Sequence, residues 1–263
     1  MTQTYLNIPV SVCIYAIRQQ CIEEAQLFTW LKLNCNHRFC LTNQISFRAI
    51  REIGITKETL QKRLKWLLVK KWISYNSKSE TYHVNSFQII HRKTNSPISK
   101  GVLWENYDIR KFKGFACAGI IGYYAKRKHY NDTHEIRLRD KGHKQVRIKK
   151  ARPKMSLAPV SFNLPLEYLA KAIDLPKSTI QKMKSIARQN FFIEVENNFA
   201  ESNLSVSELH QLRRFSKHAI ELKKFTLTGG RVVEQLPDKI FLDINFRNKR
   251  KLKQTEPTNR YRK

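Results

Sequence analysis

Acidic residues are scarce in this sequence: 21 Asp and Glu stand against 50 Lys and Arg over 263 residues, a formal charge of +29. Such a balance attracts polyanions, nucleic acid first and an anionic membrane surface second. Long apolar runs are missing too. No stretch of about eighteen apolar residues occurs, and Met1-Thr-Gln-Thr-Tyr5 is not the basic-then-apolar opening of a secretory signal. The expectation is a soluble, cytoplasmic, nucleoid-associated protein with no membrane partner.

Paired-cysteine motifs are absent as well. Cys13, Cys21, Cys35, Cys40 and Cys117 are odd in number and share no repeated spacing, so they read as reduced thiols. Cys35-Asn-His37-Arg-Phe-Cys40 offers three zinc donors but no fourth, and it reads as a loop with incidental thiols rather than a metal site. Gly114-Phe-Ala-Cys-Ala-Gly119 has the outer glycine spacing of a phosphate-binding loop. Ile120 and Ile121 stand where Lys and Ser or Thr would have to be, so no nucleotide cofactor is expected. Catalysis on DNA would need clustered carboxylates, paired histidines or a placed tyrosine. Asp238 with Asp243, and His129 with His134, have no supporting partners, so no enzyme activity is expected.

What is present is ample folding material, 41% apolar and 11% aromatic residues, in a length with room for two domains. It is organised by a repeat. Ile53-Gly-Ile-Thr-Lys-Glu-Thr-Leu-Gln-Lys-Arg-Leu-Lys-Trp-Leu-Leu-Val-Lys-Lys-Trp-Ile73 returns, 120 residues later and without a gap, as Ile173-Asp-Leu-Pro-Lys-Ser-Thr-Ile-Gln-Lys-Met-Lys-Ser-Ile-Ala-Arg-Gln-Asn-Phe-Phe-Ile193. Ile53/Ile173, Lys57/Lys177, Thr59/Thr179, Gln61/Gln181, Lys62/Lys182 and Ile73/Ile193 are identical, as are Asn43/Asn163 at the same offset.

In each copy, three- and four-residue steps of apolar residues, Leu60/Leu64/Leu67 or Ile180/Met183/Ala187, predict a helix with one inward face. Its other face is basic and polar: Lys57, Gln61, Lys62 and Lys65 in the first copy; Lys177, Ser178, Gln181, Lys182, Ser185 and Arg188 in the second. Such side chains bond phosphates and base edges. A shorter helix upstream, Ser46–Ile53 or Leu166–Ile173, and a three-residue turn complete a helix-turn-helix. Alternating residues follow: Ile73–Tyr75 and Tyr82–Val84 around Asn76–Glu80, and more weakly Ile193–Val195 and Phe199 around Asn197-Asn198. A helix-turn-helix plus a hairpin is a winged helix. The fold class expected is therefore α+β, mainly α with small β wings, in two tandem winged-helix domains.

Taken in order, Ser11–Asn34 predicts one long helix, with an Ile14, Ile17, Cys21, Ala25, Phe28, Leu31 core face. Leu27 and Trp30 opposite it are a surplus that fits either a homodimer face or cover for neighbouring loops. Domain boundaries are expected at 1–90 for the first winged helix, 91–110 for a linker with Pro, Gly and Ser, and 111–245 for the second. The second should open with a small-residue helix over Lys111–His129. A basic hairpin over 131–152 is expected next, because Ile136-Arg-Leu138-Arg and Val146-Arg-Ile148-Lys alternate around Asp140-Lys-Gly-His143. Its Arg137, Arg139, Arg147 and Lys149 are candidate DNA contacts. Further on, Ser205-Val-Ser-Glu208 has capping-box spacing for a helix to Phe225, and Arg231–Leu236 and Ile240–Ile244 read as strands separated by Pro237. Residues 246–263 form a basic tail, expected to be disordered and to add non-specific affinity.

The arrangement resembles the replication initiators of plasmids and some phages, in which two winged-helix domains sit in tandem. The resemblance spans roughly Val10 to Phe225 and rests on the architecture and the motif pair. In that family the C-terminal winged helix reads repeated origin sequences and the N-terminal one supplies dimerisation and further DNA contact. The resemblance implies the first role for Lys177, Ser178, Gln181, Lys182, Ser185 and Arg188. It implies the second for Lys57, Gln61, Lys62 and the surplus apolar face, and with them host replication proteins as partners. The basic hairpin departs from that pattern. The expected function is binding of double-stranded DNA by a mobile-element replication initiator. A winged-helix transcriptional regulator is the alternative, and a non-specific architectural protein comes third.

Overall fold

The computed structural model describes residues 5–35, 37–94, 98, 100–139, 160–215 and 225–247, and its fold is α+β. The chain divides into two compact units. One holds Met1–Tyr123, Gln181–Phe192 and Asp243–Lys263, and the other Tyr124–Ile180 and Ile193–Leu242.

The first unit begins with β1 (Tyr5–Pro9), α1 (Val10–Arg18) and α2 (Ile22–Asn34). The long helix expected over Ser11–Asn34 is thus two helices. Gln20 takes a left-handed conformation (φ 53°), and the backbone N–H groups of Gln20 and Cys21 donate to Ile17 and Ala16, closing α1 as a left-handed cap does. Along α2, Leu27, Phe28, Thr29, Trp30 and Leu31 are all buried, so this helix is packed on every side. Leu27 and Trp30 are buried inside the unit, with Trp30 Nε1 donating to Glu52 Oε2 at 2.7 Å, as cover for neighbouring residues of this chain.

Next come β2 (Arg38–Phe39), α3 (Asn43–Ile53), α4 (Lys57–Val69), β3 (Ile73–Asn76), β4 (Thr81–Val84) and α5 (Phe87–Lys93). The three strands form an antiparallel sheet in the order β2-β4-β3, with Phe39, Tyr82 and Tyr75 in register across it. Phe39 stacks on Tyr82 at a centroid distance of 5.0 Å, and Tyr75 packs against Tyr82 at a tilt, 4.8 Å away.

The expected linker over 91–110 holds regular elements in its described residues. It holds the end of α5, β5 (Gly101–Glu105) and a 3-10 turn at Ile109–Lys111. β5 is the central strand of a second sheet, between β1 and β10 (Asn245–Arg247), and its Val102 and Trp104 are buried. Burial by partners distant in sequence overrides its Pro/Gly/Ser surroundings. α6 (Phe112–Arg139) starts in this unit and packs closely on β5: a Cβ on Gly119 would lie 2.8 Å from Val102 Cγ2. The expected small-residue packing is therefore present. Trp104, Tyr107, Phe112, Phe115 and Phe192 make one aromatic cluster with centroids 4.8–5.8 Å apart. Burial lifts the Cys13 and Cys117 thiols to about 12, as befits inert core thiols.

The second unit contains the rest of α6, then β6 (Phe162–Asn163), α7 (Leu166–Ile173) and the start of α8 (Lys177–Gln189). β7 (Ile193–Glu201), α9 (Val206–Phe215), β8 (Phe225–Thr228) and β9 (Arg231–Leu242) follow. The sheet order is β6-β9-β7, with β8 on β9.

Four expectations change here. First, α6 continues through Arg139, so residues 131–139 are helix and not the first arm of a basic hairpin. A four-residue alternation is too short to end a helix already running, and Lys128 pairs with Asp132 one turn on. Arg147 and Lys149 lie outside the described residues. Second, Asn197-Asn198 is no turn: β7 runs straight through it and pairs with β9. Third, Arg231–Leu236 and Ile240–Ile244 are not two strands, because β9 is continuous to Leu242. The β7–β9 register shifts between Glu196 and Asn198 of β7, opposite Pro237 of β9, which has no N–H to give a ladder. Fourth, β8 occupies Phe225–Thr228, where the end of a helix was expected, and Gly229 and Gly230 (φ 58° and 76°) turn the chain into β9. The capping box is present. Glu208 N–H donates to Ser205 Oγ, Ser205 N–H and Oγ–H donate to Glu208, and these bonds hold the Glu208 carboxyl below its ordinary range.

Candidate nucleic-acid interface

The repeat read from the sequence is a repeat in three dimensions at the level of each copy. α3 ends at Gly54 (φ 80°) and α7 at the equivalent Asp174 (φ 58°), both left-handed. Ile55 N–H donates to Ile50 and Leu175 N–H to Ala170, the same closing bond. Even the carbonyl capped at the equivalent position is shared. Arg110 Nε donates to Glu52 O at 3.2 Å in the first unit, and Tyr124 Oη to Ala172 O at 3.2 Å in the second.

The helices that follow start after Thr56, whose side chain accepts from Thr59 N–H, and after Pro176, which presets the first turn. They finish alike too. Lys71 (φ 56°) and Phe191 (φ 62°) are left-handed, and Trp72 N–H donates to Leu67 as Phe192 N–H donates to Ala187. The end of the returning strand then donates to the same carbonyl, Asn85 to Trp72 and Asp243 to Phe192. From 51 to 67 and from 171 to 187 the pattern of buried, half-buried and exposed residues is identical, position by position.

Every polar residue singled out on the two helices is exposed: Lys57, Gln61, Lys62 and Lys65 on α4; Lys177, Ser178, Gln181, Lys182, Ser185 and Arg188 on α8. Their spacing places each set along one helix face. Lys177 is braced by Glu167 of α7, Nζ to Oε1 at 2.8 Å, whereas the first copy has exposed Phe47 at the position of Glu167. In the first turn of α4, backbone and Thr56 hydrogen bonds hold the Glu58 carboxyl below its ordinary range. Each helix also buries one cation, Arg63 or Lys184. Arg63 pairs with Glu23 on α2, while its Nη1 has no hydrogen-bond partner among the described residues.

Arg51 on α3 and Lys171 on α7 occupy the same repeat position, and both are exposed. Sequence reading passed over them. The offset of 120 that matched the later helices pairs them. Phe47 and Val69 of the first copy are 63% and 70% exposed.

Arg137 and Arg139 lie on α6. Among the described residues no group of three or more His, Cys, Asp or Glu is placed to hold a metal ion, and no helix is long and apolar enough to cross a membrane. Comparison with protein-family models, curated proteins and solved structures finds no match for this chain.

Proposed function

We propose that this chain binds double-stranded DNA through two winged helices, α3–α4 with the β2-β4-β3 sheet and α7–α8 with the β6-β9-β7 sheet, and acts as the replication initiator of a mobile element. The observation that carries this reading is the residue-for-residue match of burial between 51–67 and 171–187. Two helices held in equivalent frames present the same Lys, Gln and Lys to solvent. A charge of +29 supplies the sequence-independent attraction that brings them to DNA. Both run strand, helix, turn, helix, strand, and then a returning strand (β4 or β9) that pairs with the first strand on one side and the preceding one on the other, as in a winged helix. Two such modules in one chain favour an initiator over a regulator, in keeping with the resemblance drawn from the sequence.

Affinity selection of fragmented DNA from the genome or element that encodes the chain, washed at moderate salt and sequenced, tests this. A cluster of direct repeats beside the gene is the expected result. Single or inverted sites over promoters would replace the initiator with a regulator, and recovery without any enriched sequence would overturn specific binding.

A further inference from the structure

We infer that Gln61 and Gln181 read the same base, adenine, in two copies of one short element contained within the DNA site of a single chain. This rests on the DNA-reading function proposed above and adds to it the content of the site.

Gln61 and Gln181 are the fifth residues of α4 and α8, both exposed and both within the first half of a helix that a helix-turn-helix sets into the major groove. A glutamine there can accept from the adenine N6 amino group through Oε1 and donate to N7 through Nε2, a two-point match that no other base edge offers equally. What makes the two readings alike is the frame. The left-handed turn at Gly54 or Asp174, the left-handed end at Lys71 or Phe191, and the buried Trp72 or Phe192 fix each helix at both ends with equivalent backbone bonds. Gln61 and Gln181 therefore stand at the same height on equivalent supports. Their exposed neighbours include lysines at the same places, Lys57 and Lys62 in one copy and Lys177 and Lys182 in the other, with Lys177 also paired to Glu167, so phosphates near each glutamine can be met by lysines at equivalent positions.

Beyond this core the copies diverge. Glu58 and Lys65 face solvent where the second copy has Ser178 and Ser185. The two elements should share their adenine and differ at the base pairs these residues face.

Selection from a random duplex library with the full chain, and with Gln61→Ala and Gln181→Ala chains, tests the inference. The unaltered chain should enrich a site with two related elements, each containing adenine at the same place. Each variant should relax one of those adenines and keep the other, with unchanged circular dichroism and thermal midpoint. Replacing either adenine by 7-deazaadenine removes the N7 acceptor without touching the protein, and should weaken binding by about fivefold or more, alike for both. A selected site with a single element, different bases at the two places, or variants that leave both adenines preferred would overturn the inference while DNA reading stands. No enrichment by the unaltered chain would overturn DNA reading itself.

Discussion

After α4 the chain turns back through residues 77–80 and closes its sheet at once, whereas after α8 the strand β7 meets its partner β9 only past residues 202–230, an excursion that contains α9 and β8. Yet the two returns end on the same bond, Asn85 to Trp72 and Asp243 to Phe192. Helices α4 and α8 are framed by short-range backbone devices, which recur whatever the strands after them do, and those strands are where the copies part. Their charges part as well. Lys78 and Glu80 balance in the first hairpin, while β7 and β9 carry Glu194, Glu196, Glu201, Glu234 and Asp238 against Arg231 and Lys239. An acidic wing is repelled by a phosphate backbone. On the proposed function the first wing approaches DNA and the second does not.

The comparison can be broken hardest at the residues that close the frames. Trp72→Ala and Phe192→Ala each empty a buried aromatic site, and each should cost about 3–5 kcal/mol in urea unfolding. A large loss for one and none for the other would end the equivalence of the copies. Glu23→Gln removes the partner of buried Arg63 and should cost about 1–3 kcal/mol by the same measurement, because a desolvated cation is left unpaired. At the left-handed turns the two copies should respond with opposite signs. Gly54→Ala should destabilise by about 1 kcal/mol, and Asp174→Gly should be neutral or stabilise by about 0.5 kcal/mol. The smallest effect belongs to the wings: Lys78→Ala should weaken DNA binding about two- to threefold and flatten its salt dependence by about one phosphate contact. Glu194→Gln with Glu196→Gln should leave both unchanged, and tighter binding by that pair would place the second wing against DNA after all.

Much of this frame is legible in the sequence, because it is local. The offset of 120 found both helix pairs, α3–α4 and α7–α8, the apolar stripes of α4 and α8 fall on buried faces, and Ser205 caps α9 through Glu208. The misreadings share a physical cause. The break at Gln20 is left-handed without glycine, so no residue announces it. β5 and the β7–β9 pairing are set by partners far along the chain, which turn-forming residues nearby cannot reveal. Ile136–Arg139 alternates like a strand over a window too short to compete with the helix it continues. In the candidate interface the exposed faces of α4 and α8 were readable from periodicity. Arg51 and Lys171 were not, since a lone cation on a short helix carries no pattern until the repeat is imposed on it.

The central claim, that α4 and α8 are equivalent reading helices, is tested most directly by measuring the affinity of two triple variants for one selected duplex. One is Lys57→Ala, Gln61→Ala, Lys62→Ala and the other is Lys177→Ala, Gln181→Ala, Lys182→Ala. Both should lose at least about tenfold in affinity and lose discrimination against mismatched sites, while unfolding at the denaturant midpoint of the unaltered chain. A variant of either helix that binds and discriminates as the unaltered chain does would contradict the account.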